Sequence, residues 1–403
     1  MKAIKSPVHR LLTLAALLAA LPAAAAPGVT DLGTLKNDNS GISEAYAVNS
    51  DGSQVFGSAV NDNGEKRAVV WSGSNWANKT DLGTLAAGNS NYSRANSVSS
   101  DGSVIAGSAQ NDDSTFRAIV WSGSGWTTKT DLGTLKSDNS GDSNANAVSR
   151  DGSVVAGVAV NDNGEQHAAI WSGSGWSTKT DLGTLRSDNS GSSVVYAVSD
   201  DASVVVGNSQ HTNFLFPATH ATVWSGNGWT TKTDLGAPDV DNLWISSATS
   251  VSSDGSVIAG YANDFSSNYR AIVWSGNGWT TTTYLGTLKA DNSGVSRALA
   301  VSKDGSMVGG EAENDNGEKR ATVWSGSGWG TKTDLGTLKA DNSGASRVSG
   351  LSADGNFAVG HADSDNGDSR AAVWNLRNLN NARPADTANT RASLSLLSAD
   401  TAA

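Results

Sequence analysis

The sequence predicts an all-β protein, a seven-bladed β-propeller of four-stranded repeats of about 50 residues each. Three observations lead there. The word DLG or a variant starts at Asp31, Asp81, Asp131, Asp181, Asp234, Tyr284 and Asp334, with successive spacings of 50, 50, 50, 53, 50 and 50. Turn signals recur at short range inside each unit, so the chain reverses on itself, whereas a parallel solenoid would coil in one direction. Finally, residues 370–374 supply a third strand with no fourth behind it, and residues 28–35 have the sequence of a fourth strand with nothing before it.

Within one unit, residues 144–149 alternate small apolar with polar side chains, and Asp151-Gly152 turns the chain into a second strand at 154–157. A third strand, 167–171, meets a fourth, 176–185, across Ser172-Gly173-Ser174-Gly175. Pairing 28–35 with 370–374 would close the ring and cover edges otherwise open to aggregation. Six Trp-x4-Trp pairs stand at Trp71/Trp76, Trp121/Trp126, Trp171/Trp176, Trp224/Trp229, Trp274/Trp279 and Trp324/Trp329. The expectation is that each pair clamps its own hairpin neck, a cross-strand contact of roughly 0.2–1 kcal/mol. Sugar stacking is the alternative use, less favoured because a ligand site has no need of six equal copies.

The ends carry other information. Lys2, Lys5 and Arg10 precede an apolar run and then small residues, the layout of a secretory signal peptide over 1–25. The run is too short for a bilayer, which takes about 20 residues. The domain reading is therefore a signal peptide at 1–25, a propeller at 26–375 and a disordered tail or linker at 376–403. A formal charge of -11, more negative once the basic leader is removed, argues against nucleic acid and anionic lipid as partners. The chain has no cysteine, so packing and strand pairing must stabilise it without disulfides.

Chemistry is sparse. Beyond the leader the histidines are His167, His211, His220 and His361, and no G-x-S-x-G word or cysteine nucleophile exists. The acids recur with the repeat, whereas one active site should break it. No catalytic residue, no cofactor and no enzymatic activity are expected. The Asn-Asp-Asn-Gly-Glu words at 61–65, 161–165 and 314–318 lack the ligand spacing of a calcium loop and read as turns, so no metal is expected.

The repeated words DLGTL at 31–35, 81–85, 131–135 and 181–185, Ala147-Val148-Ser149, Asp151-Gly152-Ser153, and Arg-Ala-x-Val-Trp at 117–121 and 270–274 resemble the extracellular HAF-repeat proteins. Some of these form the passenger of bacterial autotransporters. The resemblance covers about residues 28–375 and implies a secreted or outer-surface location in a Gram-negative bacterium, without a defined activity. No barrel-forming run follows up to Ala403, so a translocating barrel would be encoded elsewhere or the reading frame is truncated.

Strand alternation places the first-to-second and third-to-fourth turns on one face, and the longer, more variable connections on the other. The repeat is broken where Gly207 to Trp224 spans 17 residues instead of the 14 from Gly57 to Trp71. On this ground His211, Phe214, Phe216, His220, Trp244, Phe265 and Tyr269 are the expected ligand-binding patch, on the variable face of two adjacent blades. The bland alternative is that they cover a local core. The expected function is an exported interaction module, adhesive, with a carbohydrate or protein ligand on a cell surface or matrix. An inert passenger is the runner-up, and a carbohydrate-active enzyme a distant third.

Overall fold

A computed structural model describes residues 28–211, 219–236, 245–264 and 268–381. Seven four-stranded antiparallel sheets form a closed ring of blades, as the sequence predicts. Blade 1 consists of Ser43–Val48, Val55–Val60, Lys66–Ser72 and Asn78–Asp81. Blades 2 to 6 repeat this plan over 93–131, 143–181, 193–234, 246–284 and 296–334. Blade 7 takes three strands from 346–375 and its fourth from Val29–Asp31, in the register Val29↔Trp374, Thr30↔Val373 and Asp31↔Ala372. The first strands line the central channel, and the short fourth strands face outward.

Second and third strands are buried along nearly their whole length because blades cover each other face to face. Phe56 and Val70 of blade 1 pack with Ile105, Ile119 and Trp121 of blade 2, and Val359 and Val373 of blade 7 pack with Val55 and Trp71 of blade 1. A tryptophan buried in this way removes some 150–250 Å² from water. At about 25 cal/mol per Å², that is about 4–6 kcal/mol per side chain as an upper bound.

The two tryptophans of a pair do not clamp their own hairpin. The register sets Trp71 opposite Lys79, and Trp71 is fully buried against the preceding blade. Trp76 lies in the turn with φ 55°, a left-handed conformation, and the fourth strand begins only at Asn78. Its indole swings back so that Nε1 donates to the Gly52 carbonyl at 3.0 Å, with its ring edge-on to Phe357 of blade 7. The same indole-to-carbonyl bond recurs from Trp126 to Gly102 and from Trp279 to Gly255. Each of these bonds ties the two turns of one blade together, so the second indole joins blade to blade only through its ring, as Trp76 does on Phe357 and Trp126 on Phe56, while Trp71 and its equivalents are buried between blades. The fourth strand is correspondingly shorter than the 176–185 run expected, ending at Thr178–Asp181 in blade 3.

Each first strand carries a bulge. In blade 1, Ala45 pairs with Gly57 and Ala47 with Phe56, leaving Tyr46 as the extra residue. The backbone approach is so close that a Cβ at Gly57 would lie 2.0 Å from the Glu44 carbonyl oxygen, which requires glycine there.

The connections between blades are gripped from both sides. Between blades 1 and 2, Arg67 of blade 1 donates to the Asn89 carbonyl, while Lys129 of blade 2 donates to the Thr84 carbonyl at 2.8 Å and to Asn89 Oδ1 at 2.9 Å. Arg117 and Lys179 do the same between blades 2 and 3. Where blade 3 meets blade 4, His167 replaces the arginine but Lys232 remains, and where blade 6 meets blade 7, Val29 replaces the lysine but Arg320 remains. Between blades 4 and 5 both are replaced, by His220 and Thr282.

Leu376, expected at the start of a tail, is instead fully buried against blades 6 and 7, and a short helix, Arg377–Asn381, follows it. An apolar side chain next to Trp374 finds the hydrophobic seam and extends the ordered chain.

Two outcomes follow from these contacts. The Ser103 N–H, with the Ser99 and Ser103 hydroxyls, holds the Asp101 carboxyl below its ordinary value of 3.8, and Asp151, Asp201 and Asp254 are held in the same way. A carboxyl whose pKa is lowered in the fold stabilises it fully above the unfolded value, and that contribution is lost as pH falls through the folded value. The melting temperature should therefore stay level down to about pH 4.5 and drop below about pH 4. Replacing these four aspartates with asparagine should lower the neutral melting temperature and flatten the acid slope; an unchanged slope would contradict the assignment. In hydrogen exchange, amides of Ser246–Val251, beyond the junction without either grip, should be less protected than those of Ser93–Val98. Equal protection would show that the grips contribute nothing.

Candidate functional site

The connections between blades and the second-to-third loops share one face. The Asn37 N–H donates to Asp62 Oδ1 at 3.0 Å, and the Ser137 N–H to Asp162 Oδ1 at 2.9 Å. The Asn-Asp-Asn-Gly-Glu oxygens are engaged as turn acceptors: Asn61 Oδ1 accepts from the N–H groups of Asn63 and Glu65, and Glu65 Oε1 from that of Asn91.

On this face the channel opens into a cup of about 600 Å³. Its walls come from the bulged residue of every first strand, from the residue two before it in blades 1, 2, 6 and 7, and from Tyr261, Tyr269 and His361 of second and third strands. The first-strand positions between them are nearly uniform from blade to blade. Ser43 and its equivalents are serine in all seven units, and Ala45 and its equivalents are alanine or valine. Ser43 and Ser93 explain the uniformity: their hydroxyls accept from the Ala371 and Ala68 N–H groups of the preceding blades. The positions that alternate with them instead read Glu44, Arg94, Asn144, Val194, Ser247, Arg297, Arg347 and Tyr46, Asn96, Asn146, Tyr196, Thr249, Leu299, Ser349.

Some of these residues hold the ring itself. Asn96 Nδ2 donates to the Ala145 carbonyl at 2.8 Å, Asn146 Nδ2 to the Val195 carbonyl at 2.8 Å, and the Thr249 hydroxyl to the Ala298 carbonyl at 2.8 Å, each reaching the next blade. The others supply aromatic faces and charge. Arg297 pairs with Glu311 at 2.8 Å and lies 4.5 Å and 5.6 Å from the ring centres of Tyr269 and Tyr261, which meet edge to face. Arg94 lies over Tyr46 at 5.5 Å. Glu44 accepts from Tyr46 Oη and pairs with Lys66 at 2.8 Å; burial opposes its ionisation, but these two partners outweigh burial and hold the carboxyl below its usual range. Burial, with the Glu44 carboxylate beside it, pushes Tyr46 up to about 12. Burial also pushes the Tyr196 phenol up and the His361 imidazole down from their usual values. The cup is thus cationic at Arg94 and Arg347, with Arg297 and Glu44 internally paired. Beside it a cleft of about 500 Å³ runs over blades 1 to 3, with Tyr92 and Phe116 exposed on its wall and Arg94 shared between the two.

Of the residues expected from sequence, Tyr269 lies in the cup. Phe214, Phe216, Trp244 and Phe265 lie outside the described residues. His211 and His220 come together elsewhere, on blade 4. Their rings stack at 4.7 Å and 14°, His220 Nδ1 sits 2.9 Å from Asp234, and His211 Nε2 sits 3.5 Å from the same carboxylate. Burial raises the Asp234 carboxyl, but hydrogen bonding from His220 outweighs it and holds the group below its usual range. His167 and Asp181 form the same pair in blade 3, and Arg117 and Asp131 occupy those positions in blade 2. His220 is therefore a variant of the repeat's own basic-acidic pair. The two histidines and Asp234 are a donor set of metal-binding type, with ligand atoms within 4.8 Å. The near-parallel rings, however, direct their in-plane lone pairs along separate lines.

No family model matches the chain, and no curated protein matches it in sequence. Solved structures do match in fold. The β-propeller domain of the Trilobed protease from Pyrococcus furiosus aligns with a TM-score of 0.53 and 13% identity, over 83% of this chain and 95% of that one. TolB from Acinetobacter baumannii aligns with a TM-score of 0.48 and 14% identity, over 80% and 67%. The BP39L lectin from Burkholderia pseudomallei aligns with a TM-score of 0.43 and 11% identity, over 82% and 96%. Identities this low establish a shared propeller architecture and leave activity to the site itself.

Proposed function

We propose that this protein is an exported binding module that seats its ligand in the cup at the channel mouth and serves adhesion to a cell surface or matrix. One observation carries the reading. The repeat is kept at the buried first-strand positions, serine at 43 and alanine or valine at 45 and their equivalents, and is abandoned at the positions that face the cup, including Glu44, Arg94, Arg297, Tyr46 and Tyr196. A rigid scaffold with divergent, converging side chains is the construction of a binding site. Aromatic faces, guanidiniums and amides hold a ligand. The cup's carboxylate Glu44 is tied to Lys66, and Glu311 behind it to Arg297, which leaves both poorly placed as acid-base catalysts and favours binding over catalysis. The leader-like residues 1–25 and the HAF-like repeat words support export and an autotransporter-type passenger, with any barrel supplied by another segment or chain. No helix among the described residues is long and apolar enough to cross a membrane.

The test is a glycan and matrix-protein array probed with the mature chain and with a Tyr196→Ala/Tyr261→Ala/Arg297→Ala variant. Loss of two or three anchors should weaken binding more than about ten-fold while the melting temperature stays within a few degrees. A variant altered instead at Phe214, Phe216 and Trp244 should keep its ligand. Loss of binding only in the second variant would move the site to the blade 4–5 loops, and a chain that binds nothing would be an inert passenger.

A further inference from the structure

The cup's charges are not balanced in the way that charges elsewhere in the molecule are. In a chain with 39 acidic and 28 basic side chains, arginines find carboxylates easily. Arg67, Arg117, Arg320 and Arg370 pair with the aspartates of their own blades, Arg150 with Asp200, Arg186 with Asp188, and Arg297 with Glu311. Among the described residues only Arg94, Arg347 and Arg377 have no carboxylate at ion-pair distance, and Arg377 stacks on Phe357 outside the channel. The other two line one cavity, and the Arg347 Nε is buried with no hydrogen-bond partner. A buried guanidinium donor without an acceptor is costly unless something supplies the acceptor.

Resting on the binding reading above, we propose that the cup takes the acidic terminal sugar of a glycan, with its carboxylate received by Arg94 and Arg347. Guanidinium and carboxylate match in a two-pronged, charge-assisted geometry. The rest of the cup suits a sugar ring better than an acidic peptide. The faces of Tyr46, Tyr196 and Tyr261 offer stacking surfaces for its C–H side, and Ser349 and His361 offer groups for its hydroxyls. The shape favours a chain end. The seven first strands ring the channel beneath the cup, and the hollow at its opposite end is smaller, about 170 Å³. There Asp200 is held by Arg150 at 3.1 Å and Lys303 at 2.7 Å. A cup at the end of such a channel suits the end of a chain better than its middle. The following residues of such a glycan would lie along the neighbouring cleft, past Tyr92 and Phe116, with Arg94 at the boundary.

Calorimetric titration of the mature chain tests this with N-acetylneuraminic acid, glucuronic acid, the methyl esters of both, glucose and a Glu-rich peptide. At least one free acid should bind, its methyl ester at least ten-fold more weakly, and affinity should fall as salt is raised. Arg94→Gln and Arg347→Gln should each lose ten-fold or more for the acid at unchanged melting temperature, with partial recovery in Arg94→Lys. Equal binding of acid and ester, abolished by the Tyr196→Ala/Tyr261→Ala/Arg297→Ala variant, would overturn the acidic-sugar assignment and leave the binding cup standing. Binding of the peptide without either sugar would overturn it in favour of a protein ligand. Failure of every probe, together with failure on the wider array, would overturn both.

Discussion

No blade of this protein can bury its own hydrophobic faces, and everything else in the structure depends on that. Phe56 and Val70 are covered by blade 2, Val120 by blade 3, and the last blade is covered only because blade 1 lies beside it. A sheet of four short strands has two faces and each neighbour covers one, so the only arrangement without an exposed face is a closed ring. The split of blade 7 between the two ends of the chain follows from the same need. The third strand at Ser369–Asn375 would otherwise present a bare edge on the outside of the ring.

Because stability is distributed among equivalent junctions, each needs only a few repeated contacts. The buried tryptophan, the ring of the second one, and, at four of the seven junctions, the arginine and lysine that together grip the connection supply them. Individually each hydrogen bond contributes about 1 kcal/mol, and repetition makes them decisive. Repetition also frees other positions. The channel wall is constrained only where Ser43-like hydroxyls or Asn96-like amides reach the next blade, so the intervening side chains diverge without cost to the fold. His220 and Thr282 stand at the one junction where the sequence replaces both grips.

The architecture was legible in the sequence because its two determinants are sequence properties: a period of 50 residues and the complementarity of residues 28–35 to 370–374. The role of the tryptophans was not. Spacing alone sets Trp71 and Trp76 across a hairpin, and only the left-handed backbone at Trp76 turns the second indole away. Little of the candidate cup was legible. Tyr269 was singled out by an aromatic break in the repeat and does line the cup, while His211 and His220 belong to the internal acid-base pairing of blade 4. Arg94, Tyr196, Arg347 and their companions escaped notice because loops of unusual length draw attention and substitutions inside strands do not. The signal was present all the same: uniform serine at 43 and small apolar residues at 45 alternate with unlike residues at 44 and 46. Alternation sets positions 44 and 46 on one face, and only the ring of blades makes that face the channel wall.

Closure of the ring is therefore the claim to test first, by thermal unfolding of the mature chain with residues 28–35 removed, alone and with a synthetic peptide of those residues added. The truncated chain should melt roughly 5 °C or more below the parent and self-associate through its exposed edge, and the peptide should restore both properties. A truncated chain that stays monomeric and melts with the parent would contradict the shared-strand ring.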